Sequence, residues 1–122
     1  MHDQAILILE DDAVLRKQLA RFLERRGFAV TATASIREFL QRVRADEFAA
    51  VLLDLSLPDG DGIDAWALGR RYQPQATALL MTAQTNPAVA ARARAGGFVA
   101  VLGKPLRVPQ LLGLVCSAAV AA

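Results

Sequence analysis

The chain has 122 residues, of which 54% are hydrophobic and 21% charged, with a formal net charge of +2. That length holds one hydrophobic core, and that balance excludes intrinsic disorder. A single cysteine excludes an internal disulfide framework and a cysteine-built zinc site.

The N-terminal Met1-His2-Asp3-Gln4 lacks the basic start of a secretory signal, so a reducing, cytoplasmic setting is expected. Ala5-Ile6-Leu7-Ile8-Leu9 reads as a buried strand that ends in Glu10-Asp11-Asp12. Leu15, Leu19, Phe22 and Leu23 then recur at helical spacing between charged residues and predict an amphipathic helix. Gly27 stops it. Residues 28–33 form a second strand. Ser35 and Glu38 stand at capping-box spacing and open a second helix, with Ile36, Phe39, Leu40 and Val43 on its buried face.

The third strand is the apolar run Ala50-Val51-Leu52-Leu53, which ends at Asp54 and meets a loop with Pro58, Asp59 and Gly60. A short helix is expected over 63–71 with Trp66 inward. The fourth strand, 78–81, ends at Thr82. Asn86-Pro87 supplies an N-cap and a first helical proline, and Gly96-Gly97 ends that helix. The fifth strand, 98–102, runs into Gly103-Lys104-Pro105, and a last helix continues from about 109. Leu106, Val108, Leu111, Leu112, Leu114, Val115, Cys116 and Val120 make it apolar nearly all round, with Cys116 expected in packing. A surface helix needs a polar face. A partner, a second copy or further chain beyond Ala122 is therefore expected to cover it. No apolar stretch is long enough to span a membrane without a charge or turn breaker. The arginines are scattered, without the interleaved aromatics of single-strand binders, so no direct nucleic-acid binding is expected.

Strand–helix alternation repeated five times predicts a parallel sheet with helices on both faces. Right-handed crossovers leave few topologies. The expected one is the flavodoxin-like, doubly wound (βα)5 fold, strand order 2-1-3-4-5, as a single domain over 1–122. Its switch point lies between strands one and three, the two that end in carboxylates. Glu10, Asp11 and Asp54 would then converge, with Thr82 and Lys104 on the neighbouring strand ends. Close carboxylates repel. Mg²⁺, a hard cation that accepts carboxylate, water and phosphate oxygens, would relieve that repulsion. A hydroxyl and an ammonium beside it suit a phosphoryl group in transfer, and aspartate can be the nucleophile.

These residues resemble those of the receiver domain of two-component response regulators, over essentially the whole chain. The match is carried by Glu10-Asp11, by Asp54 within Leu53-Asp54-Leu55-Ser56-Leu57-Pro58, by Gly62, by Thr82-Ala83 and by Lys104-Pro105. The resemblance implies that Asp54 accepts a phosphoryl group from a phosphohistidine on a sensor histidine kinase or phosphotransfer protein. Asp11, Asp54 and the Ser56 backbone carbonyl would ligate Mg²⁺, and Glu10 would act through metal-bound water. Thr82 would bond the phosphoryl oxygen, and Lys104 would pair with the carboxylate and then the phosphoryl group. A cis Lys104–Pro105 bond, a homodimer through the fourth and fifth helices with strand five, and an output domain or target protein are also implied. The role is that of a signalling phosphoacceptor rather than an enzyme. His2 is a poor donor in its terminal position, so the donor histidine is expected elsewhere.

One position departs from the family. An aromatic residue usually stands three before the lysine, and here it is Val101. A receiver-like domain that does not switch and acts only by protein interaction is therefore the first alternative. An aspartate-nucleophile phosphohydrolase is more remote, because Ser56 stands where a second acid is needed and no insertion could form a substrate cap. A nucleotide or flavin binder lacks its glycine-rich loop. Each residue also has an ordinary reading: Asp54 as a turn residue, Thr82 as a strand end, Lys104 as a solvated lysine, Asp12 as a helix N-terminal residue rather than a ligand. Asp59, Asp61 and Asp64 resemble the start of a calcium loop, but Ile63 occupies a ligand position and no glutamate closes it.

Overall fold

The computed structural model describes residues 4–121, with side chains as far as Ala118. His2 and the Val120 side chain, both weighed above, lie outside the described residues. In chain order come β1 (Ala5–Leu9), α1 (Ala13–Arg25), β2 (Ala29–Thr33), α2 (Ile36–Ala45), β3 (Ala50–Asp54), α3 (Gly62–Gly69), β4 (Thr77–Thr82), α4 (Pro87–Ala95), β5 (Phe98–Gly103) and α5 (Val108–Ala121). A small antiparallel ribbon, Ser56–Leu57 against Gly60–Asp61, bridges β3 and α3. The main sheet is parallel throughout, in the order β2-β1-β3-β4-β5. This is the flavodoxin-like fold expected from the strand–helix alternation.

β3 lies at the centre and is buried at every position. Strand side chains alternate between faces. Val51 and Leu53 join Phe39, Val43, Ile63, Trp66 and Val89 in one core. Ala50 and Leu52 join Leu19 and Leu23 of α1 and Leu111 and Val115 of α5 in the other. The continuous apolar run of β3 is thus the mark of a strand covered on both sides.

The helix ends follow local chemistry. Asp12 caps α1 by accepting the Val14 and Leu15 N–H groups, and Asn86 caps α4 by accepting that of Val89. Ser35 caps α2 through the Glu38 N–H at 3.2 Å. The Glu38 carboxylate reaches back to the Ala34 N–H at 3.1 Å, one residue before the expected capping-box donor. Gly27 takes φ +93° where α1 ends.

Three expectations need correction. α3 closes at Gly69 instead of near 71, because the chain tightens into a 3-10 turn over Arg70–Tyr72. Such a turn gives the last helical carbonyls nearer partners. The all-round apolar surface expected of α5 holds only in part among its described side chains, because Gln110 and Ser117 interrupt an exposed side that still carries Val108. Its buried line is Leu111, Val115 and Ala118, while Gln110, Gly113, Cys116 and Ser117 are exposed. Cys116 is a free, exposed thiol rather than a packed one. The helical period explains it, since the residue after Val115 turns about 100° away from the buried line.

Candidate functional site

The carboxyl ends of β1, β3, β4 and β5 meet at one edge of the sheet. Asp54 is the last residue of β3, paired in register with Met81 of β4. It is 6% exposed, and Glu10, just past β1, is 1% exposed. Carboxylates so deeply placed need partners. Lys104 supplies one for both: its Nζ lies 2.7 Å from Glu10 Oε1 and 3.1 Å from Asp54 Oδ2. Burial is the strongest single influence on the lysine and favours loss of its proton. The bonds and attraction from Glu10 and Asp54 together outweigh it, so Lys104 holds its proton more tightly than usual.

The backbone delivers the lysine to this place. The Lys104 N–H donates to the Thr82 carbonyl at 2.9 Å, which extends the β4–β5 ladder past Thr82 and Gly103. The Lys104–Pro105 peptide is cis, as the resemblance implied. At β1 the Glu10 N–H donates to the Thr33 carbonyl at 3.0 Å. Glu10 Oε2 accepts the Asp12 N–H at 3.1 Å.

Glu10, Asp11 and Asp54 each offer a carboxylate oxygen, and these atoms all lie within 4.8 Å of one another. Two of these residues are buried and Asp11 is exposed. An all-oxygen, multiply anionic set with one open side suits a hard divalent cation that keeps part of its water. Ser56 is the exposed first residue of the ribbon and pairs with Asp61. Gly62 lets the ribbon close on β3. A Cβ there would stand 2.0 Å from the Asp54 carbonyl oxygen, and the Gly62 N–H donates to the Leu55 carbonyl at 2.8 Å.

Thr82 ends β4 and is buried. Its hydroxyl oxygen accepts the Gln84 N–H at 2.9 Å, which ties it to the loop leading into α4. Val101, on the outer strand β5, lines a recess of about 200 Å³ with Ala90, Ala93 and Phe98. A larger apolar groove of about 560 Å³ runs between α1 and α5 and reaches Asp12 and Lys104.

Two supports were not foreseen. The Arg16 Nη1 donates to the carbonyls of Glu10 at 2.9 Å and Asp11 at 3.2 Å, holding the acidic turn from the next helix. A cation one turn into α1 was the only sequence signal. The aspartates weighed as a calcium loop have other partners. Asp59 accepts α2 backbone N–H groups, and Asp61 caps α3 while pairing with Arg92 of α4 at 3.1 Å.

The profile of the response regulator receiver domain family matches residues 6–115. Among curated proteins, the acid tolerance regulatory protein ActR of Rhizobium meliloti is 31% identical over 90% of this chain and 57% of its own length. The transcriptional regulatory protein CseB of Streptomyces coelicolor is 38% identical over 84% of this chain and 40% of its own. The chain therefore spans about half the length of the curated relatives it matches. Among solved structures, a response regulator from Burkholderia pseudomallei with a phosphorylated aspartic acid and a calcium ion is 32% identical, with a TM-score of 0.88. The match covers 96% of this chain and 69% of that one. A CheY-like receiver domain from Methanospirillum hungatei superposes with a TM-score of 0.90 at 23% identity, covering 95% of this chain and 93% of that one, and so speaks for the fold. The match runs from β1 into α5 and includes every strand end of the acidic crevice, so the chain belongs to the response regulator receiver domain family.

Proposed function

We propose that this chain is a phosphoacceptor in which Asp54 takes a phosphoryl group from a phosphohistidine on a sensor kinase or phosphotransfer protein. The observation that carries the reading is the Lys104 ammonium held between Glu10 and Asp54 inside a three-carboxylate cluster. In the transfer, an Asp54 carboxylate oxygen attacks phosphorus. The new O–P bond forms as the N–P bond breaks, and the imidazole, already protonated on its other ring nitrogen, leaves with the electron pair as the neutral base. Lys104 is protonated and adjoins Asp54, so it can follow the charge from the carboxylate onto the phosphoryl oxygens. The Thr82 hydroxyl is the donor assigned to one of those oxygens. Asp11, Asp54 and the Ser56 carbonyl would hold Mg²⁺, with Glu10 acting through water, and the ion would neutralise the charge gathered there.

The groove between α1 and α5 supports the choice of donor. It is apolar and borders Lys104, so a donor helix lying in it would stand beside the acceptor. The output is assigned to the α4-β5-α5 face, which is also the candidate homodimer surface. A dimer is named for one structural relative, the beryllofluoride-activated NtrC4 receiver domain. With Val101 in place of an aromatic ring, Thr82 and its bonded loop are the remaining route from the site to α4. A cytoplasmic location and an output domain or target protein complete the reading. No helix among the described residues is long and apolar enough to cross a membrane.

Acetyl phosphate with and without Mg²⁺, followed by intact mass, tests it. One phosphoryl adduct is expected, only with the metal, and none in Asp54→Asn. Metal-independent labelling, or an unchanged mutant, overturns the acceptor assignment. The amide spectrum of residues 83–106 should also change on labelling. An identical spectrum favours the non-switching alternative.

A further inference from the structure

The ribbon between β3 and α3 is short: two bridged pairs, Ser56 with Asp61 and Leu57 with Gly60. A two-strand ribbon of this size is not stable alone. At its tip, Asp59 sets both carboxylate oxygens on the Ile36 N–H, at 3.2 and 3.1 Å, and Oδ2 on the Arg37 N–H at 3.4 Å. These are the first two amides of α2, where a helix lacks internal partners and attracts negative charge. Gly60, at φ +147°, brings the tip so close that a Cβ there would stand 2.9 Å from Ile36 Cδ1. α2 already has a cap of its own in Ser35, bonded to the Glu38 N–H. The Asp59 bonds span 22 and 23 residues of sequence, so they chiefly join the ribbon to the helix.

We propose that Asp59 is a positioning residue for cation binding: by fastening the ribbon tip to the start of α2, it pre-sets the Ser56 backbone carbonyl beside Asp54. The inference rests on the reading of the crevice given above, in which that carbonyl is a ligand. Freed from α2, the ribbon keeps only its ties to α3 and α4 at the Asp61 end, so its tip would have to be ordered when the cation arrives, and affinity falls by that cost.

Mg²⁺ titrations of the full chain, followed by the amide signals of residues 10–11 and 54–56, test the proposal. Asp59→Ala is expected to raise the dissociation constant about threefold to tenfold, the worth of one or two modest hydrogen bonds. The labelling rate by acetyl phosphate at saturating Mg²⁺ should stay near wild type. Asp59→Asn keeps an acceptor and should recover most of the affinity. Ser35→Ala loosens the same helix turn but leaves the Asp59 bonds to make, and should raise the constant less than Asp59→Ala does. An unchanged constant in Asp59→Ala, or an equal rise in Ser35→Ala, overturns the proposal. A measurement on the wild type needs no variant to fold. Coupling is reciprocal, so Mg²⁺ must slow hydrogen exchange at the Ile36 and Arg37 amides, and unchanged exchange there also overturns it. A wild type that binds no divalent cation removes the crevice reading together with this inference. A wild type that binds while Asp59→Ala binds equally removes the inference alone.

Discussion

β3 and β5 belong to one sheet and are separated only by β4, yet their surroundings differ sharply. β3 has a strand on each side and a core on each face, and all five of its residues are buried. β5 is an outer strand, with Val99 63% exposed and Val101 half-buried. At the end of β3, Asp54 is held by Lys104, and the ribbon beyond it is tied to α2, α3 and α4. Beside β5 the described contacts leave a recess at Val101. The chemical end of the domain is over-determined, and its outer face has room to change. The proposed phosphoacceptor role would use both, because charge has to be placed closely at an acceptor while packing has to shift at an output surface.

The largest expected effect contrasts the two strands directly. Leu52→Ala empties a fully buried site against Leu19, Leu23 and Leu111 and should cost about 2–5 kcal/mol. Val99→Ala removes exposed surface and should stay within about 0.5 kcal/mol. Urea denaturation of both variants measures the difference, and equal losses would break the comparison. Lys104→Met comes next. It leaves Glu10 and Asp54 together without a cation and should cost about 1–3 kcal/mol at neutral pH, since the lysine is partly exposed.

The pH dependence of that variant carries a sign. The folded protein raises the Lys104 pKa above its ordinary 10.5, so its contribution is complete below pH 10.5. It is lost as the pH rises through the higher folded-state value. Stability of the wild type should therefore fall more steeply than that of Lys104→Met in this alkaline range, and parallel curves would contradict the pairing. The smallest effect is expected at Arg92→Ala, which removes an exposed ion pair with Asp61. Its thermal midpoint should move less than that of Leu52→Ala or Lys104→Met, and the shift should vanish in about 0.5 M salt.

Some parts of this molecule were easy to read from the chain. The β3 run is apolar without a break, and only a doubly covered strand asks for that. Asn86-Pro87 and Ser35 announce their helices because caps act over three or four residues. Asp54, Glu10 and Lys104 stood out because each stands where an apolar strand run ends. Other parts were hidden for the opposite reason. Cys116 looks like core by type, and only the phase of α5 against the sheet turns it outward. Asp59 looked like part of an acidic loop, and its partners lie more than twenty residues away. Arg16 could be anticipated as a helix cation but not as a clamp on two carbonyls.

Period and residue order were enough for the strand–helix alternation and for the residues that end each strand, and the carboxylates closing strands one and three selected the strand order among the few topologies left. Those features depend on local propensity and on which face of each element is apolar, and both are written in neighbouring residues. Tertiary structure decided the rest: that one ammonium bridges Glu10 and Asp54, that Thr82 is bonded to the loop after it, and that the ribbon is anchored on α2. Distances of a few ångströms between residues far apart in the chain exist only after the sheet has closed. No periodicity encodes them.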